Sequence, residues 1–220
     1  MSQHRLFVTP LHEITNRDCL SRMQDDKVFC MSVAKKYAEA YWDGDRRYGY
    51  GGYQYIPGRW APVAMKMIET YHLTEQSAVL DVGCGKAYLL YELKNLLPGL
   101  TVVGSDISEY ARRNAHPEIR EYLVDGSAHD VYPYQDKSFD LVVSLGCLHN
   151  LKLFQIKTAL TEIERVGKDA YIMVESYRND QELFNLQCWA LTAETFLEDV
   201  EWEWIFETFR YTGDYEFIFF

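Results

Sequence analysis

A chain of 220 residues, 48% hydrophobic and 25% charged, has the length for one globular domain, or for one domain with an appended cap. A formal net charge of -11 opposes a nucleic-acid partner, because affinity for a phosphate backbone comes from Lys and Arg displacing counterions. The five cysteines are an odd number with no Cys-x-x-Cys pair, which argues against a disulfide framework or a zinc ribbon and for a reducing cytoplasm. The first residues, MSQHRLFVTPLHEITNRD, lack the apolar core of an export signal, and no apolar run approaches the roughly 20 residues of a membrane helix. The expected setting is therefore cytoplasmic, with no membrane partner.

In chain order, residues 1–76 carry helical spacing in KVFCMSVAKKYAEAYW and APVAMKMIETYHL, with a tyrosine- and glycine-rich stretch, YGYGGYQYIPGRW at 48–60, between them. Glycines of this density invite comparison with a phosphate loop. No Lys-Ser/Thr pair opening a helix follows them, so they do not form one. From 77 to 220 the period changes. Short apolar runs, AVLDVG, LTVVGSDI, IREYLVDG, FDLVVSLG and DAYIMVES, alternate with the helical patterns KAYLLYELKNLL, SEYARRNA and FQIKTALTEIERV. That alternation predicts βαβ units around a doubly wound, mostly parallel α/β sheet, with strands buried on both faces. The tail predicts a helix over LEDVEWEWIFETF and a last strand, DYEFIFF, added antiparallel.

The stretch VLDVGCGKAYLL puts Asp81 at the end of an apolar strand and Gly83, Cys84 and Gly85 in the turn to a helix. In a doubly wound sheet this first turn is where an adenosine-bearing ligand lies. A dinucleotide fingerprint needs a small residue at position 88, where Tyr88 stands. Asp106 ends the next apolar run, 21 residues after Gly85, and an acid there suits ribose hydroxyls in either kind of adenosine site.

The spacing Asp-x-Gly-x-Gly-x-small, with Ala87 last, resembles the first motif of class I S-adenosylmethionine-dependent methyltransferases. So does DGSAHDVYPYQDKSFDLVVSLGCLHNL, in which Pro133, Tyr134, Asp136, Ser138, Phe139 and Asp140 hold the places of that family's Pro-aromatic-x-Asp-x-Ser-Phe-Asp run. The resemblance covers about residues 77–176. It implies a seven-stranded Rossmann-like methyltransferase sheet and S-adenosylmethionine as cofactor. The cofactor would be held by Asp81, Gly83, Cys84, Gly85, Asp106, Ile107, Gly126, Ser127, Ala128 and Leu145. Ser127 stands where the family usually has an adenine-facing acid, and Asp125 is the alternative for that place.

His149 follows the fourth apolar run, at the rim where the methyl would point, and is the candidate base or a rim hydrogen-bonder. Cys84 and Cys147 read as small buried hydrophobes rather than nucleophiles. No His/Asp/Glu spacing suggests a metal. In this class of methyltransferases the segment before the first strand covers the cofactor and shapes the acceptor pocket. Residues 48–60 therefore serve as an acceptor lid or as core packing, with Tyr50, Tyr53 and Arg59 as substrate residues and Arg46 or Arg47 as further anion clamps. The same stretch and the ending YTGDYEFIFF resemble bacterial methyltransferases of cell-surface polysaccharide pathways. The expected function is methyl transfer to a small polar acceptor, a sugar or acid. The alternatives are an adenosine-cofactor-binding partner without turnover and a nicotinamide-dependent dehydrogenase.

Overall fold

The computed structural model describes residues 2–15 and 17–220. Five helices precede the sheet: α1 (Thr9–Glu13), α2 (Cys19–Gln24), α3 (Lys27–Ala34), α4 (Glu39–Trp42) and α5 (Ala61–Thr70). The continuous helical spacing over 27–42 is not one helix. The chain turns at Tyr37, which takes a left-handed φ of 48°, and restarts as α4.

Then β1 (Ala78–Val82), α6 (Tyr88–Leu96), β2 (Thr101–Asp106), α7 (Glu109–Arg113), β3 (Leu123–Asp125), β4 (Phe139–Leu145), α8 (Leu153–Val166) and β5 (Gly167–Glu175) follow as the alternating pattern predicts. The tail adds α9 (Asp180–Trp189), which the apolar pattern did not announce, the expected α10 (Asp199–Thr208), and β6 (Asp214–Ile218). Among the described residues no helix is long and apolar enough to cross a membrane.

The strand order is β3-β2-β1-β4-β5-β6 and all neighbours run parallel. Alternate side chains of the inner strands feed two cores. Val79, Leu141, Val143 and Tyr171 face α5 and α6, while Leu80, Val82, Val142 and Ile172 face α8 and α10. On α8 the residues Ile156, Ala159, Leu160, Ile163 and Val166 repeat at three and four and are all fully buried, each large one worth about 1.5–3 kcal/mol over exposure.

Two expectations about the sheet change. It has six strands rather than seven, and β6 joins β5 parallel rather than antiparallel. The cause is the helical connection through α9 and α10, which carries the chain back across the sheet before β6 begins, as a parallel crossover requires. The outer edge of β6 is met by the chain's first residues. His4 bridges Tyr215 in parallel, with the Arg5 amide donating to the Tyr215 carbonyl at 2.8 Å. Glu216, fully buried on β6, anchors this segment by accepting from the amides of Phe7 (2.6 Å), Val8 and Thr9 and from the Tyr171 hydroxyl. A buried carboxylate is tolerable only with such donors around it.

The strand order reverses between β1 and β4, so the crevice outside their carboxyl ends is where a ligand of this fold lies.

Candidate active site

The turn after β1 is shaped by backbone needs. Gly83 and Gly85 have φ of +78° and +56°, which side chains rarely adopt. A Cβ on Gly83 would lie 2.4 Å from the Cys147 sulfur, and one on Gly85 would lie 2.7 Å from the Trp42 ring. The amides of Gly83 and Cys84 donate to the Ser105 carbonyl, at 2.8 and 3.1 Å, tying the turn to β2. Cys84 lines the cleft over the turn, and burial holds its thiol well above the usual range, as an inert thiol should be.

Asp106 supports the same turn from β2. It is buried, and its two oxygens accept from the Gly85 amide and the Ser108 amide, both at 2.7 Å. Burial raises its acid and these two bonds oppose the rise. Asp81 is buried as well, but its Oδ1 has no partner among the described residues. Burial, and then the charge of Asp106, push the Asp81 carboxyl up to about 8.

The third stretch is more divided. Ile107 stands exposed beside Asp106. Gly126 lies so close to β2 that a Cβ would meet the Ser105 hydroxyl at 2.6 Å. Ser127 touches the His129 ring through its hydroxyl (2.7 Å), and Ala128 is buried in the core. Asp125 is exposed and engaged by Arg112 at 2.7 Å.

The tyrosine- and glycine-rich stretch closes over the turn. Trp42 at the end of α4 lies against Gly85 and donates from Nε1 to the Ser108 hydroxyl at 2.9 Å. Tyr50 stacks on Trp42 (centroids 5.3 Å, 10° between planes), Tyr53 leans on Tyr50 (4.5 Å), and Tyr88 stacks on Tyr53 (5.2 Å). Lys86, almost wholly buried, holds this cover down by donating to both oxygens of Asp43 (2.8 and 2.7 Å) and to the Tyr53 carbonyl (2.7 Å). The Tyr110 and Tyr88 hydroxyls add bonds to Asp43 and to the Tyr53 carbonyl. About 70 Å³ is left beneath the cover, in a cleft lined by Asp81, Gly83, Cys84 and Gly85.

Beside it opens a cavity of about 590 Å³, a size suited to a small molecule. Tyr50, Tyr53, Trp60, Tyr88 and Leu145 line both spaces, so the two meet along that wall. Arg59, Arg46, His149, Asn150 and Glu175 also line the cavity. Arg47 does not, since it turns to Asp25 at 2.6 Å. His149 sits in the turn after β4, fully packed, and burial lowers its pKa against the opposing pull of Glu175. Its Nδ1 accepts the Glu175 amide at 3.2 Å, so the neutral ring carries its proton on Nε2, 3.4 Å from the Glu175 carboxylate. With Nδ1 and Nε2 both engaged, the basic group this pair brings to the cavity lining is the Glu175 carboxylate. Asn150 adds a buried Oδ1 with no partner among the described residues.

The structure brings together Asp81, Gly83, Cys84, Gly85 and Leu145 at one cleft, with Tyr50 and Tyr53 above it, and Arg59 and His149 at the adjoining cavity. Trp42, the Asp43–Lys86 pair and Glu175 were not anticipated. Lys86 adjoins the glycine motif, where the sequence marks it only as a helix-opening cation; nothing local marks Trp42 or Asp43 as its cover. S-adenosylmethionine suits this turn by the chemistry of its donors. The unpartnered Asp81 oxygen and the Asp106 carboxylate accept from ammonium or hydroxyl groups, and the glycines admit close approach. The cleft alone, at about 70 Å³, is smaller than this cofactor, and it adjoins the larger cavity along their shared wall.

Comparison with known proteins agrees with this geometry. A family model described as methyltransferase domain matches residues 80–173. Among solved structures, a protein described as a methyltransferase, in complex with the Trm112 methyltransferase activator of Haloferax volcanii, aligns over 68% of this chain and 74% of its own (23% identity, TM-score 0.52). A protein from Bacillus halodurans C-125, also described as a methyltransferase, aligns over 66% and 67% (19% identity, TM-score 0.54). These likenesses establish the fold. Among curated proteins, the mitochondrial arginine-hydroxylase NDUFAF5 of Mus musculus is 30% identical over 116 residues, 53% of this chain. The match spans only 33% of that protein's length.

Proposed function

We propose that this chain, which carries a class I S-adenosylmethionine-dependent methyltransferase domain over residues 80–173, transfers a methyl group to an oxygen of a small polar acceptor bound in the large cavity. The acceptor class is a sugar or a hydroxy acid, such as a precursor of a surface polysaccharide. The observation that carries this reading is the wall shared by the two spaces, along which a donor at the glycine turn and an acceptor in the cavity would meet. The unpaired state of all five cysteines supports a reducing, cytoplasmic setting.

Asp81, Asp106, Ile107, Gly126, Ser127, Ala128, Leu145 and the amides of residues 83–85 would hold the cofactor. When bound, S-adenosylmethionine supplies a methyl already activated on a sulfonium. The protein's share is then alignment, with a base for a weak nucleophile such as a hydroxyl. Glu175 takes that proton, and His149 positions the Glu175 carboxylate through Nε2–H. The unpartnered Asn150 Oδ1 and the hydroxyls of Tyr50 and Tyr53 orient the acceptor.

The first test supplies methyl-labelled S-adenosylmethionine with a panel of sugars and hydroxy acids. Glu175→Gln is expected to lower turnover by about 10²–10³-fold while leaving affinity for S-adenosylhomocysteine unchanged. His149→Asn is expected to shift the pH profile of turnover rather than abolish cofactor binding. Cofactor binding without product from any acceptor would favour the cofactor-binding partner instead, and binding of NAD in place of S-adenosylhomocysteine would sink both. Arginine modification, the reaction in the name of the mouse relative, is disfavoured by the cavity's own charge, since guanidiniums already lining it repel another.

A further inference from the structure

The large cavity gathers positive charge in a chain with 33 acidic and 22 basic residues. Arg17, Arg22, Arg46 and Arg59 all line it, and among the described residues Glu175 is the only carboxylate that does. Elsewhere Arg5, Arg47, Arg112, Arg113, Arg165 and Arg178 each sit on a carboxylate. None of the four cavity arginines has such a partner among the described residues.

Their positions are nevertheless fixed. Arg22 donates to the carbonyls of Arg46 (2.7 Å) and Gly49 (2.9 Å), and Arg46 to those of Gly49 (3.0 Å) and Tyr50 (2.8 Å). Arg17, Arg22 and Arg46 converge on the Trp189 ring, with guanidinium carbons 5.4, 3.9 and 4.8 Å from its centroid. Ring faces attract cations and hold them without neutralising them. Among the described residues the buried Arg17 Nε has no partner, and Arg59 makes one long contact of 3.5 Å to the Leu11 carbonyl. Burial lowers the pKa of Arg17, against the pull of Glu175, and that of Arg46, and with the Arg46 charge it pushes that of Arg22 down to about 10, the mark of cations held at a cost. Converging forks with free donors are the chemistry that binds planar or tetrahedral oxyanions.

We propose, resting on the methyltransferase reading above, that the acceptor is anionic, and that Arg17, Arg22, Arg46 and Arg59 bind its carboxylate or phosphate group while Glu175 and Asn150 face the hydroxyl to be methylated. The neutral sugars then fall out of the acceptor class; hydroxy acids, uronic acids and sugar phosphates remain.

The test is calorimetric titration of the full chain in low-chloride buffer, free and saturated with S-adenosylhomocysteine, with inorganic phosphate, succinate, and glycerol as the uncharged control. One of the anions is expected to bind at least about tenfold more tightly than glycerol. Arg17→Gln and Arg59→Gln are each expected to weaken it by about tenfold, with S-adenosylhomocysteine affinity within about twofold. The anion that binds more tightly assigns the group as phosphate or carboxylate. Anions binding no better than glycerol, or binding unaltered by both substitutions, would overturn the proposal. If Arg17→Gln lowers the melting temperature, Arg59→Gln carries the test, because its one contact is long. Loss of S-adenosylhomocysteine binding with the anion site intact would sink the cofactor reading alone, because the titration of the free protein measures the anion independently.

Discussion

The cofactor cleft and the acceptor cavity adjoin, yet they are built by opposite means. The cleft is made of backbone at the ends of β1 and β2, where glycine turns and the Asp106 carboxylate are fixed by hydrogen bonds between neighbouring strands. The cavity is made of side chains from segments far apart in the chain: α1 and α2, the 46–60 stretch, the turn after β4, the end of β5, and the connection at 189–192. A backbone device constrains its own sequence locally, whereas a side-chain constellation constrains only a shape. One end of such a site can therefore be shared across a fold family while the other is free to choose the acceptor.

The sharpest way to break this division is at the cover that spans both spaces. Asp43→Asn removes the counter-charge of a buried lysine, and a buried ion pair broken on one side costs about 3–5 kcal/mol. The measurement is the denaturant midpoint, and the double change Asp43→Asn with Lys86→Met is expected to recover most of the loss. If the single change costs nothing, Lys86 reaches solvent when the cover is in place, and the cover is not latched.

Next in size is Asp106→Ala, which leaves two buried amides of the cofactor turn without an acceptor. Hydrogen bonds to a charged group are worth about 1.5–3 kcal/mol each, so S-adenosylhomocysteine affinity is expected to fall by about 100-fold in calorimetry. Anion binding in the cavity is expected to be untouched. Parallel loss of both would show that the two ends are one cooperative unit and erase the contrast drawn above.

The same contrast explains what the sequence disclosed. β1, β4 and β5 were legible because strands buried on both faces need apolar runs, and Asp81, Gly83, Gly85 and Asp106 because the turn they form has strict backbone needs. The glycines and tyrosines at 48–60 mark an irregular aromatic stretch before the sheet. Its partners Trp42, Asp43 and Lys86 did not announce themselves, since their pairing depends on how α4 lands on the sheet. Arg17, Arg22 and Glu175 look like ordinary charged residues in a charged chain until the fold withholds partners from the arginines. The parallel entry of β6 was misjudged for a related reason: the direction of a last strand is decided by the helices before it, and α9 carries only a weak apolar stripe.

A third effect is a matter of pH, and Asp81 decides its sign. In the fold its carboxyl titrates at about 8 rather than 3.8, so between those values the folded chain holds a proton that the unfolded chain has lost. Its contribution to stability is full below about pH 4 and is lost as pH rises through about 8, at a slope of up to about 1.4 kcal/mol per pH unit. Buried histidines act the other way. His12, lowered to about 4 by burial and by Arg17, contributes fully above about 6.5 and loses that contribution as pH falls, and His149 is shifted in the same direction. Total stability therefore mixes opposing slopes, and only a difference isolates Asp81. Denaturant unfolding of the wild type and of Asp81→Asn, at several values from pH 5 to 8.5, is expected to show the variant gaining on the wild type as pH rises, by on the order of 2–4 kcal/mol across the range. A gap that stays constant would mean that Asp81 is ionised throughout. Its unpartnered oxygen would then belong to a solvated carboxylate, ready for an ammonium donor without first giving up a proton.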